Sequence, residues 1–169
     1  MTGVQTCALP IFTNPDLLRS LVRPHAQVTA GVPTRIAYDH ERRVSDNRST
    51  NDGRTNGGGL VVGGGAVRTT FERNQVDVGP RTPGAGSDGP YGVHVVLDGA
   101  VNVDTVFRDN RIATTGGVPL LVVPQPALQP GLLFEGNAWD AGGAATTIAW
   151  GASTYASVEA WTAATGQGP

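Results

Sequence analysis

Four segments of the chain carry the same short phrase: an apolar residue, two intervening positions, then asparagine. They read VSDN (Val44–Asn47), FERN (Phe71–Asn74), FRDN (Phe107–Asn110) and FEGN (Phe134–Asn137), and their asparagines stand 27, 36 and 27 residues apart. Between them lie apolar runs studded with glycine: GLVVGG (Gly59–Gly64), YGVHVVLDG (Tyr91–Gly99) and VPLLVVP (Val118–Pro124). Each is strand-length, rich in β-branched residues and bounded by turn formers. From Gly53 to Thr147 no stretch combines helix formers with a 3.6-residue period. The repeating unit is therefore strand, turn, strand, asparagine turn, strand.

A repeat of roughly 25 residues built only from short strands reads as a β-solenoid. No unit of this kind can bury its apolar face alone, so neighbours must stack and share one core. Phe71, Phe107 and Phe134 are expected to form an internal ladder. The asparagines are expected at turns, taking the left-handed conformation and bonding through their amides to the next unit. The 36-residue step is assigned to an inserted Pro/Gly-rich loop, GPRTPGAGSDGP (Gly79–Pro90). Beyond Ser153 the pattern changes. STYASVEAWTAATG offers an N-cap in Ser157 and a C-terminal glycine in Gly166, so a short amphipathic helix is expected against the last strand, TTIAW (Thr146–Trp150). Trp150 and Trp161 read as packing between that helix and the sheet, with sugar stacking the alternative.

Composition narrows the functional classes. The 169 residues carry a net charge of −2, so nothing argues for a nucleic-acid partner, and no apolar run approaches a membrane span. All 12 basic residues are arginine, and Cys7 is the lone cysteine. It falls within MTGVQTCALPI (Met1–Ile11), which resembles a translated short-read sequencing adapter over its whole length and is set apart from the fold. Without it no disulfide, zinc site or thiol nucleophile is expected. Residues 12–34 stay unassigned or form a partial first coil, 35–152 are read as coils, and 153–169 as helix and tail.

The segments RRVSDNRSTNDGRTNGGGLVVGGG, VFRDNRIATTGGVPLLVV and LLFEGNAWDAGGAATTIAWGASTYASVEAWTAATGQ together resemble the C-terminal part of bacterial right-handed parallel β-helix repeat proteins, the pectin-lyase-like superfold. The resemblance runs over roughly Ile36–Gln167. It implies an all-β fold, a right-handed parallel β-helix of about four to five coils with a short C-terminal helix. It also implies an extracellular or cell-surface protein whose partner is a polysaccharide or surface glycan. Whether such a protein is a polysaccharide lyase, a glycoside hydrolase or a non-catalytic adhesin is left open, because fold does not fix function. Its catalytic coils are expected largely upstream of these residues.

One polar concentration stands out, YDHERRVSDNRSTNDGR (Tyr38–Arg54). Asp39, His40, Asp46 and Asp52 are its candidate acid/base groups, and Arg43, Arg48 and Arg54 its candidate clamp for a sugar carboxylate, with a solvated, turn-rich face as the alternative. No metal site is read from the residues and no cofactor is evident; calcium enters only through the resemblance, since lyases on this fold use aspartate ligands for it. His94 is expected on a strand, facing outward beside Asp98. NGGGLVVGGG resembles a phosphate loop in glycine content alone, lacking the GK[ST] ending.

Overall fold

The computed structural model describes residues 34–36, 42–52, 58–81, 89–96 and 99–168. Met1–Ile11 and residues 12–33 lie outside them. The order of elements is β1 (Thr34–Ile36), β2 (Arg42–Ser45), β3 (Arg48–Asp52), β4 (Gly58–Val62), β5 (Thr69–Glu72), β6 (Gln75–Val78), β7 (Tyr91–Val95), β8 (Val106–Arg108), β9 (Arg111–Thr114) and β10 (Leu121–Val123). A 3-10 turn (Pro126–Leu128) follows, then β11 (Leu133–Glu135), β12 (Ala138–Asp140), β13 (Ile148–Trp150), β14 (Ser153–Tyr155) and helix α1 (Val158–Thr165).

Every third strand pairs with its predecessor. One four-stranded sheet runs β2-β5-β8-β11, a second runs β3-β6-β9-β12, and both are wholly parallel. The third, β1-β4-β7-β10-β13-β14, is parallel until β14 returns antiparallel on β13. Among the described residues the structure is thus mostly β, with parallel strands, one antiparallel return and one short C-terminal α-helix. The return of β14 was not legible from SerThrTyr, three residues with no alternation to display.

Register places like residues above one another. Val44 pairs with Phe71, Phe71 with Phe107 and Phe107 with Phe134. The phenylalanine rings stack nearly parallel, with centroids 4.7 and 4.8 Å apart. Val76 over Ile112 and Leu60-Val93-Leu121-Ile148 form parallel columns from the other two sheets, and all are buried. A column of identical or similar side chains fills the interior at constant width, which is how successive strands can keep one register.

The phrase that ends in asparagine makes the turn between the first two sheets. Contrary to expectation, the left-handed residue is the one before each asparagine: Asp46, Arg73, Asp109 and Gly136, with φ between 50° and 63°. This leaves the asparagine free to point its amide inward. Asn47 donates to Asn74 Oδ1, Asn74 to Asn110 Oδ1 and Asn110 to Asn137 Oδ1, each through both backbone N–H and Nδ2 at 2.9–3.1 Å. The Nδ2 groups of Asn74, Asn110 and Asn137 also donate to the carbonyls of Val44, Phe71 and Phe107. Buried turn groups are thereby satisfied by the next repeat.

α1 ends the core. Ser157 Oγ accepts from Ala160 N at 3.1 Å, and Gly166 closes the last turn at φ 70°. Trp161, fully buried, sets its ring edge-on to Phe134, Trp139 and Trp150 at 5.6–5.9 Å. It covers the end of the phenylalanine column. The packing reading of Trp150 and Trp161 therefore holds, and sugar cannot reach Trp161.

Candidate functional site

The residues after each phenylalanine lie in register on the β2-β5-β8-β11 sheet: Ser45, Glu72, Arg108 and Glu135. Alternation along a strand turns them away from the phenylalanines and onto the outer face. Glu72 is the centre of a charge cluster there. Its Oε1 accepts from Arg43 and from Arg73 Nη1 (2.6 Å), and its Oε2 from Arg108 Nε (2.9 Å) and Nη2 (2.6 Å). Arg73 turns its remaining edge to Asp46, with Nε and Nη2 both at 2.7 Å from the carboxylate.

The Glu72 side chain has no exposed surface, although its three arginine partners are about half exposed. It is therefore enclosed by guanidinium groups and not by the apolar core. Burial pushes its carboxyl up, but hydrogen bonds from Arg108, Arg43 and Arg73 outweigh that and hold it at about 2, against 4.5 for an ordinary glutamate. Asp46 is likewise lowered, first by its hydrogen bonds from Arg73 and then by Ser45. The arginines respond in kind, Arg73 raised chiefly by Asp46 and Arg108 chiefly by Glu72.

Of the residues singled out from sequence, Asp46 and Arg43 meet in this cluster. Arg48 lies exposed on β3, in the adjoining sheet. Asp39, His40 and Arg54 lie outside the described residues, as does the side chain of Asp52, whose backbone ends β3. Glu72, Arg73 and Arg108 were not anticipated. Their signal stood in the repeat itself: FERN, FRDN and FEGN place Glu, Arg and Glu at one offset, and stacking brings alternating charges together.

Asp46 and Glu72 do not fit a calcium ion. Both are ionised, but their oxygens are engaged by guanidinium groups whose charge opposes a cation. Among the described residues no three His, Cys, Asp or Glu side chains gather as a metal site. His94 lies on β7 as expected but is buried and not outward-facing, its ring packed edge-on to Tyr91 at 4.6 Å; Asp98 lies outside the described residues. The glycine run leading into GLVV forms part of β4, where Gly59 passes close to Gly92 O and the side chains of Val76 and Val78.

Comparison of the chain with protein-family models, curated proteins and solved structures finds no match.

Proposed function

We propose that the chain is part of a right-handed parallel β-helix of the pectin-lyase-like kind, displayed outside the cell, that binds polysaccharide. The observation that carries this is the pairing of every third strand in parallel register, with like residues in columns. Winding about one axis is the simplest path that satisfies it, and right-handed crossovers are the rule for parallel strands. Such a body displays outer side chains in rows about 4.8 Å apart. Rows of that regularity suit a polymer of repeating units better than a compact ligand.

Arg43 and Arg108 are the groups through which a glycan carboxylate or hydroxyl would be held. Each uses Nε and Nη2 on Glu72, and among the described residues neither Nη1 makes a hydrogen bond. Within this cluster Glu72 holds the arginines and does not serve as a general acid. A general acid must hold a proton near working pH, and Glu72 at about 2 does not. The test is retention of the chain on immobilised acidic and neutral polysaccharides, with release of reducing and unsaturated ends followed in parallel. Retention without release is expected, and weaker retention of Arg43→Gln/Arg108→Gln. Release that survives purification would make the protein a lyase or hydrolase instead.

A further inference from the structure

We infer that the face carrying Arg43, Glu72, Arg108 and Glu135 selects a polysaccharide with an acidic group on every second sugar. This rests on the polysaccharide reading above and adds to it the spacing of charge along the ligand. From strand to strand the outer side of the β2-β5-β8-β11 sheet changes sign: Arg43 on β2, Glu72 on β5, Arg108 on β8 and Glu135 on β11. Glu72, Arg108 and Glu135 are in register, while Arg43 stands opposite Thr70 and reaches Glu72 diagonally.

The two arginines grip opposite oxygens of one carboxylate. Arg43 meets Glu72 Oε1 and Arg108 meets Oε2, each through its Nε and Nη2 edge. In a planar guanidinium Nη1 lies across from that edge. The two Nη1 groups therefore face away from Glu72, one on either side of it. Their strands are two spacings apart, about 9.6 Å. With side chains 60% and 45% exposed, both arginines are open to a ligand from solvent. Arg73 is no third anchor, because its Nε and Nη2 hold Asp46 and its Nη1 holds Glu72.

Negative charge fills the intervals. Glu72 is ionised between the two anchors. Glu135 and Asp109 lie exposed beside Arg108 and, after Glu72, add to what holds its guanidinium charged. An extended pyranose chain advances by close to one strand spacing per sugar. Laid along the stack, it brings alternate sugars over Arg43 and Arg108 and the sugars between over Glu72 and Glu135. A carboxylate on the first set gains charge-assisted hydrogen bonds from the arginines. One on the second set meets like charge, so repulsion sharpens the choice that attraction begins. The row alongside, Thr70, Val106 and Leu133, is uncharged and suits the neutral sugars.

The experiment is calorimetric titration of the full chain, at fixed ionic strength, with three polymers of matched length. In hyaluronan a uronate alternates with an uncharged sugar, in polygalacturonate every sugar is a uronate, and dextran carries no charge. Hyaluronan should bind about tenfold tighter than either of the others. Arg108→Gln should remove most of that advantage. Glu135→Gln, at an exposed position, should strengthen polygalacturonate and narrow the gap without changing the melting temperature. Polygalacturonate or dextran binding as tightly as hyaluronan would overturn the alternation and leave the polysaccharide reading standing. So would a hyaluronan preference that neither Arg108→Gln nor Glu135→Gln alters. Binding of none of the three would overturn the polysaccharide reading and the alternation with it.

Discussion

Glu72 shows how a repeat turns single residues into sites. The carboxylate is poor company for a core and ordinary on a surface, yet three repeats each contribute a guanidinium to it. Its folded pKa is depressed to about 2 from 4.5. The stability this gives is therefore fully present above pH 4.5 and lost as the pH falls through the folded value. Melting temperature should drop between those limits, and Glu72→Gln should flatten that drop while lowering stability at neutral pH by ~1.5–3 kcal/mol, the usual range for hydrogen bonds to charged groups. A variant that keeps the parent's acid profile would assign the drop to other carboxylates. Asn110 is the second residue of this kind. In Asn110→Asp the Nδ2 donor to both Phe71 O and Asn137 Oδ1 is gone. Phe71 O loses this donor, and Asn137 Oδ1 keeps only the Asn110 backbone N–H while facing a buried carboxylate, so chemical denaturation should report a loss at least ~1–3 kcal/mol larger than that for Asn47→Asp at the half-buried end of the ladder.

The strands here are three to five residues long and hold together only by their neighbours. Phe107 lies between two rings, so Phe107→Ala removes both stacking contacts and should cost ~3–5 kcal/mol in denaturant titrations. A parent-like midpoint would mean the column is not the core. Glycine at the corner of two sheets gives a contrary expectation. An alanine Cβ at Gly92 would sit 2.5 Å from Leu120 O and 2.7 Å from Ile112 Cγ2. Gly92→Ala should then destabilise by ~1–3 kcal/mol through crowding, although glycine-to-alanine changes at compatible positions usually stabilise. Much of this level was legible in the chain. Three phenylalanines at one offset from asparagine announce a shared column, because apolar and amide side chains can repeat together only where both stack. Ser157 and Gly166 marked the helix because capping is local chemistry. What escaped notice was set by contacts distant in sequence. Nothing near Glu72 signals Arg43 and Arg108 except the register itself. Asparagine was given the left-handed backbone on propensity, and its amide ladder instead requires that strain one residue earlier.

At the scale of the molecule, three sheets end in three ways. The six-stranded sheet is closed by β14. The phenylalanine sheet is closed by the tail, where Phe134 N donates to Gln167 Oε1, Gly168 N to Phe134 O and Gln167 Nε2 to Leu132 O. A side-chain amide there stands in for a peptide group. The sheet of β12 meets the helix where Trp139 lies edge-on to Trp161. Stability in such a stack is a sum of neighbour terms, so hydrogen exchange should be slowest in β4 to β10, which have paired strands on both sides, and faster in β11, β12 and β14, which have one. Uniform protection across the strands would instead indicate a single cooperative unit. The connection from Val78 to Tyr91 is twice as long as that from Thr114 to Leu121, and both deliver their strands to the same sheet in register. Lengthening a loop costs little, about 0.6 kcal/mol for each doubling. The chain is therefore punctuated more than it is periodic: asparagine marks where a line must break, while the line itself can be of any convenient length. Text written this way accepts insertions between marks and tolerates none within them.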